Sequence, residues 1–125
     1  LPFIPNFGFE VVDVRDTASL HRIVLENPSS IGRRILASRD FVWFKSIAEI
    51  IDRLYPERKI PKYVMPDLLT KVLSIFIPEL KQITQELGKE KRIDNKNAME
   101  LGWLPRNLED TIAESAKSLI DLDLA

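Results

Sequence analysis

The chain has 125 residues, room for one modest domain, and its 45% hydrophobic and 30% charged content excludes disordered and fibrous classes. Lys+Arg 18 against Asp+Glu 19 gives a formal net charge of −1, which leaves no electrostatic footprint for nucleic acid or an anionic membrane. The absence of Cys excludes disulfides, thiolate zinc sites and a cysteine nucleophile, and it favours a reducing, cytoplasmic setting. No apolar run approaches the ~20 residues that a membrane span needs.

The elements follow in chain order. Residues 9–14, apolar and β-branched after Gly8, predict a strand. Asp16 is a good N-cap for a helix over about 17–26, with Ala18, His21, Val24 and Leu25 near one face, and Asn27-Pro28 ends it. Residues 32–38 read as a second short strand after a turn. Phe44, Ile47, Ala48, Ile51, Leu54 and Tyr55 recur at helical spacing until Pro56. Lys59-Ile60-Pro61 suits a brief extended segment.

After Pro66 an apolar stripe of Leu68, Leu69, Val72, Leu73 and Phe76 predicts another helix. Pro78 suits the first turn of the next, which Gly88 terminates. A short helix over about 95–101 ends at Gly102. The last helix starts after Pro105, with Asn107 as cap, Glu109 and Asp110 in its first turn, and Leu108, Ile112, Ala116, Leu119 and Ile120 as its stripe.

The fold class is therefore α/β and mostly helical, and two short strands cannot make an independent sheet. Val11, Val12 and Val14 have the pattern of a strand buried on both faces of a parallel sheet that these residues do not encode. The opening Leu1-Pro2-Phe3, without Met, fits the same expectation: residues 1–125 form one C-terminal segment of a larger fold.

The residues that could carry chemistry have plain structural readings. His21 is the single histidine, and three or four converging ligands are needed for a metal, so a hydrogen-bonded structural role is expected and no metal site. Gly8, Gly32, Gly88 and Gly102 are isolated, with no phosphate-cradling fingerprint, so no cofactor-binding residue is expected in this chain. Tyr55 and Lys59 satisfy Y-x-x-x-K, a proton-transfer pair when both lie on one helix face. Pro56 forbids that geometry, leaving no catalytic residue. Arg33-Arg34 and the run 89–92 carry acids nearby and suit solvated faces. Trp43 and Trp103 are candidates for helix packing or for stacking a ligand. Asp13 and Asp16, on either side of Arg15, suit capping and ion pairing.

Several of these segments resemble the extended short-chain dehydrogenases/reductases, in the branch of dihydroflavonol, cinnamoyl-CoA and aldehyde reductases related to the NAD-dependent epimerases/dehydratases. Residues 12–21, V-D-V-R-D-T-A-S-L-H, resemble that group's V-D-V-R-D-V-A-x-A-H, with Thr17 and Leu20 as departures. Gly32-Arg33-Arg34-Ile35 is similar to its G-x-R-[YF], with Ile35 in place of an aromatic. Lys96, then Glu100-Leu101-Gly102-Trp103 with Pro105-Arg106, resembles K-A-x-x-L-G-W-x-P-R, and residues 108–120 resemble the terminal helix.

The resemblance implies late Rossmann strands and a substrate-binding lobe. The cofactor-binding N-terminal half, with its catalytic Ser, Tyr and Lys, would lie upstream. It implies NAD(P) in the parent enzyme and hydride transfer to a small aldehyde or ketone, with this chain inactive alone. Phe3, Ile4, Pro5 and Phe7, around Asn6, are the candidate substrate wall, with packed core as the alternative; Pro61 to Phe76 form a second candidate. Asp13, Arg15, Asp16, His21, Gly102 and Trp103 are structural motif residues, Arg15 tying strand to helix. Rival readings are the same lobe of a nucleotide-sugar epimerase/dehydratase, or a non-enzymatic helical interaction module. A bared sheet edge predicts self-association or strand exchange.

Overall fold

A computed structural model describes residues 3–125; the opening Leu1-Pro2 pair lies outside them. The chain forms two compact units, one of Leu1–Phe9 with Val42–Lys91 and the other of Glu10–Phe41 with Arg92–Ala125. Strands β2 (Gly8–Val11) and β3 (Asp40–Trp43) pair as a two-stranded sheet.

In the first unit, β1 (Ile4–Pro5) pairs in parallel with β4 (Val64–Met65), Ile4 opposite Val64 and Pro5 opposite Met65. The Ile4 amide donates to the Tyr63 carbonyl at 2.9 Å; Pro5 has no N–H to extend the ladder. Helix α2 (Phe44–Leu54) ends where expected, Tyr55 lying outside it as C-cap, so Tyr55 and Lys59 share no helix face. The extended piece expected at 59–61 is instead β4, and 59–61 is irregular.

Helices α3 (Asp67–Leu73) and α4 (Pro78–Ile83) follow, with Pro78 in the first turn of α4. The α3 stripe corrects an expectation. Leu68, Leu69, Val72 and Phe76 are exposed, and the side chain that α3 buries completely is Thr70, whose hydroxyl is satisfied by the Pro66 carbonyl at 3.3 Å. Ile4, Val42, Met65, Leu80 and Leu87 are this unit's buried apolar residues.

The second unit has a different centre. Helix α1 (Val14–Glu26) is capped by Asp13 rather than Asp16, because the Asp13 carboxylate accepts from the Arg15 amide at 2.9 Å. Val12 thus lies beyond β2 and Val14 begins the helix, 79% exposed; the strand expected over 9–14 is shorter and shifted. The inward face of α1 carries Asp16 and Leu20 with Ile23 and Val24 partly buried, whereas Ala18, His21 and Leu25 face solvent.

Residues 32–38 form no strand. Their carbonyls are held by side chains: Asn97 Nδ2 donates to Arg34 O at 2.8 Å, and Asn95 Nδ2 to Ser38 O at 2.7 Å. Glu10 accepts from the Ser38 hydroxyl and, at 2.7 Å, from the Ile93 amide. The core is Leu20, Ala98 and Trp103, packed by Val12, Ile23, Val24, Ile35 and Ala37.

Helix α5 (Lys96–Glu100) stops at Gly102, φ +86°, in a left-handed conformation that disfavours side chains. There Trp103 N donates to Ala98 O at 3.2 Å and Gly102 N to Met99 O at 3.0 Å, a paired termination that swings Trp103 back onto its own helix. Helix α6 (Leu108–Asp121) carries the expected cap, Asn107 Oδ1 accepting from Asp110 N at 2.8 Å. Ile112 is its buried residue; Leu119 is exposed, against expectation.

Candidate functional site

The motif residues of the second unit converge on the start of α1. Asp13 and Asp16 are both buried. Arg15 clamps Asp13 through two side-chain bonds, Nε to Oδ1 at 2.9 Å and Nη2 to Oδ2 at 2.7 Å, and its Nη1 pairs with Glu114 on α6. The Arg15 hydrogen bonds hold the Asp13 carboxyl well below the usual carboxylate range, and the same bonds hold the Arg15 guanidinium above its ordinary value. Arg15 therefore ties the start of α1 to α6 rather than serving as a free cation.

Asp16 is taken up by the segment after α5. Its carboxylate accepts from Arg106 N at 2.8 Å and Arg106 Nε at 3.0 Å, while its carbonyl accepts from the Trp103 indole at 2.8 Å. The two stretches that carry the family-like spacing, 12–21 and 101–106, are thus physically joined. Sequence reasoning missed Arg106 as the partner of Asp16; the isolated acid on a buried helix face was the available signal. His21 is exposed, its Nδ1 2.8 Å from Thr17 O, and it belongs to no convergent cluster of possible metal ligands among the described residues. An open cleft of about 610 Å³ beside Val12, Val14 and Leu119 has Arg15 on its wall, already paired with two carboxylates.

In the first unit, the segment after β1 is fixed at Asn6. Its side-chain amide donates to Asp67 Oδ1 at 3.1 Å, and its carbonyl accepts from Gly88 N at 2.8 Å. Gly88 is at φ +68°, which disfavours any side chain, and a Cβ there would lie 3.2 Å from Asp67 Oδ2, tighter than ordinary contact. The Phe7 carbonyl accepts from Phe44 N at 2.9 Å, and Phe7, Phe9 and Phe44 form a ring cluster with centroids 5.8–6.2 Å apart.

The sequence-predicted wall divides. Ile4 is buried core, Phe3 is exposed, and Pro5 and Phe7 line a cavity of about 240 Å³. Trp43 and Val64 complete its apolar surface, with Asn6, Lys45 and Ser46 as polar lining. Of these, Trp43 was a recognisable candidate and Val64 fell within the second wall; Lys45 and Ser46 carried no signal. Gly32 and Gly102 lie at turns with positive φ and open space around them, and Gly88 is engaged by its latch.

No protein-family model matches the chain. It is 30% identical over 115 residues to cinnamoyl-CoA reductase CAD2 of Medicago truncatula, covering 92% of this chain and 30% of that protein. Its structure matches yeast methylglyoxal/isovaleraldehyde reductase Gre2 complexed with NADPH, with TM-score 0.69, 25% identity, and coverage of 96% of this chain and 35% of that one. Over more than nine-tenths of its length the chain is thus similar to proteins named as reductases. Gre2 from Candida albicans agrees, with TM-score 0.67 and 27% identity over 94% of this chain and 32% of that one. The chain spans about a third of the length of these relatives. Its architecture matches about a third of these Rossmann-type reductase structures, and the described residues hold only two two-stranded sheets. Among the described residues, no helix is long and apolar enough to cross a membrane.

Proposed function

We propose that this chain is the substrate-binding part of an NAD(P)-dependent oxidoreductase that reduces an aldehyde or ketone to the alcohol, and that it is not catalytic on its own. The observation that carries the reading is likeness over more than nine-tenths of the chain to proteins named as reductases, one of them crystallised with NADPH. NAD(P)H would supply the hydride, and its binding residues, like the proton donor, would come from a cofactor-binding half beyond this chain. The contribution of these residues is a wall: Pro5 and Phe7, held by the Asn6 latch and the Phe9–Phe44 cluster, present apolar surface to the substrate. Walls of this kind set which carbonyl compound fits.

The direct test follows NADPH absorbance in the full-length protein across a panel of small aldehydes and ketones. The reading expects saturable, substrate-dependent oxidation. Absence of turnover with every carbonyl, alongside turnover of a nucleotide sugar, would transfer the lobe to the epimerase/dehydratase side.

A further inference from the structure

We propose that the outward face of α3 and of the turn after it is an interface with a second copy of this chain, paired antiparallel about a two-fold axis at Val72. This contact is independent of the reductase reading. Leu68, Leu69, Val72, Ile75 and Phe76 are all exposed, at 76%, 43%, 48%, 77% and 77%. The turn continues the helical path, with Ser74 N donating to Thr70 O and Ile77 N to Leu73 O, both at 2.9 Å. At about 100° per residue, the five side chains therefore fall within an arc of about 120°. Thr70, fully buried, lies on the far side of α3, so the stripe faces away from the unit's own core.

Three observations select a second copy as the occupant. The stripe reads the same from both ends: Leu68 and Phe76 stand four positions either side of Val72, and Leu69 and Ile75 three. A two-fold contact uses one self-complementary face twice. Antiparallel pairing here sets the Leu68–Leu69 end of one copy against the Ile75–Phe76 end of the other, with the two Val72 side chains meeting. A foreign partner, or another segment of the same protein, would impose no such symmetry. The arc also contains no charged side chain: Lys71 lies beyond its edge, and Asp67 accepts from Asn6 Nδ2 at 3.1 Å, so no like charges are buried between the copies. At these exposures the five side chains present on the order of 500 Å² of apolar surface, enough for the centre of an interface that buries ~800 Å² per partner.

The experiment is sedimentation velocity of the full-length protein across a dilution series, which should show a monomer–dimer equilibrium. Ile75→Glu enters the two-fold contact twice and should weaken the dimer about hundredfold. Leu25→Glu, on the exposed face of α1, should leave it unchanged. The Val72→Cys variant, oxidised at a concentration that populates the dimer, should form a disulfide between the two copies of position 72, read by peptide mass mapping. Where Ile75→Glu fails to fold, that link decides alone. A protein that stays monomeric at every concentration overturns the proposal; a lowered melting temperature in Ile75→Glu would then assign the face to another segment of the same protein, and an unchanged one to a different partner. A dimer that Ile75→Glu leaves intact places the contact elsewhere, such as at a sheet edge, and overturns it as well. Dissociation by Ile75→Glu with no link at position 72 overturns the two-fold pairing.

Discussion

The unit built around Trp103 and the unit built around the β1–β4 pairing are held together by different means. The first joins a buried indole to paired buried carboxylates: Asp13 is clamped by Arg15, Asp16 by Arg106, and Trp103 is 1% exposed with its N–H satisfied. The other has a two-residue parallel ladder, a side-chain latch at Asn6, an aromatic cluster and apolar side chains that face solvent, Leu68 on α3 and Ile75 and Phe76 in the turn after it. Dense, fully satisfied polar networks specify one arrangement strongly, because each unpaired group would be costly. A unit with few buried polar ties leaves room to vary what its cavity accepts. The contrast separates a framework unit from the unit that carries the proposed substrate wall.

The largest expected effect falls on the framework. Trp103→Ala removes the core's biggest side chain and the donor to Asp16 O, and should cost about 3–5 kcal/mol in urea unfolding. Asp16→Ala removes the acceptor of the Arg106 amide and of its Nε, leaving the guanidinium only its longer pairing with Asp13, and should cost about 2 kcal/mol. A loss below half a kcal/mol in either case would break the comparison.

How far this was legible depends on how local each determinant is. Helix α6 was readable because its cap, Asn107, and its acidic first turn are adjacent in the chain, and α5 because Gly102 marks its end. The start of α1 was not. Asp13 and Asp16 are both good caps, and what removes Asp16 from that role is Arg106, 90 positions away. Residues 32–38 look like a strand by composition, yet Asn95 and Asn97 take their carbonyls from across the unit. The cavity draws on three separate segments, so its apolar residues were visible but their convergence was not.

Smaller effects sharpen the contrast. Gly88→Ala meets both a positive φ and Asp67, and should cost about 2 kcal/mol; Gly32→Ala, at φ +73° with open space, should cost about 1 kcal/mol from conformation alone. Equal losses at the two glycines would remove the argument for a built latch.

The acid limb gives the finest test. The Asp13 carboxyl is held below its ordinary range when folded, so in acid the folded chain binds fewer protons than the unfolded one. Its contribution is present above about pH 4 and is lost as pH falls further, since stability rises with pH wherever the unfolded state binds more protons. Urea midpoints of Asp13→Asn should decline less steeply below about pH 4 than those of the parent.

The most direct measurement of the division between framework and substrate wall is the steady-state kinetics of the full-length protein with a small aldehyde, for Phe7→Ala and Ile112→Ala side by side. Phe7→Ala, on the cavity wall, should raise KM about tenfold at nearly unchanged kcat, and Ile112→Ala should lower thermal stability while leaving KM as in the parent. An unchanged KM in Phe7→Ala, with the shift appearing in Ile112→Ala instead, would contradict the account.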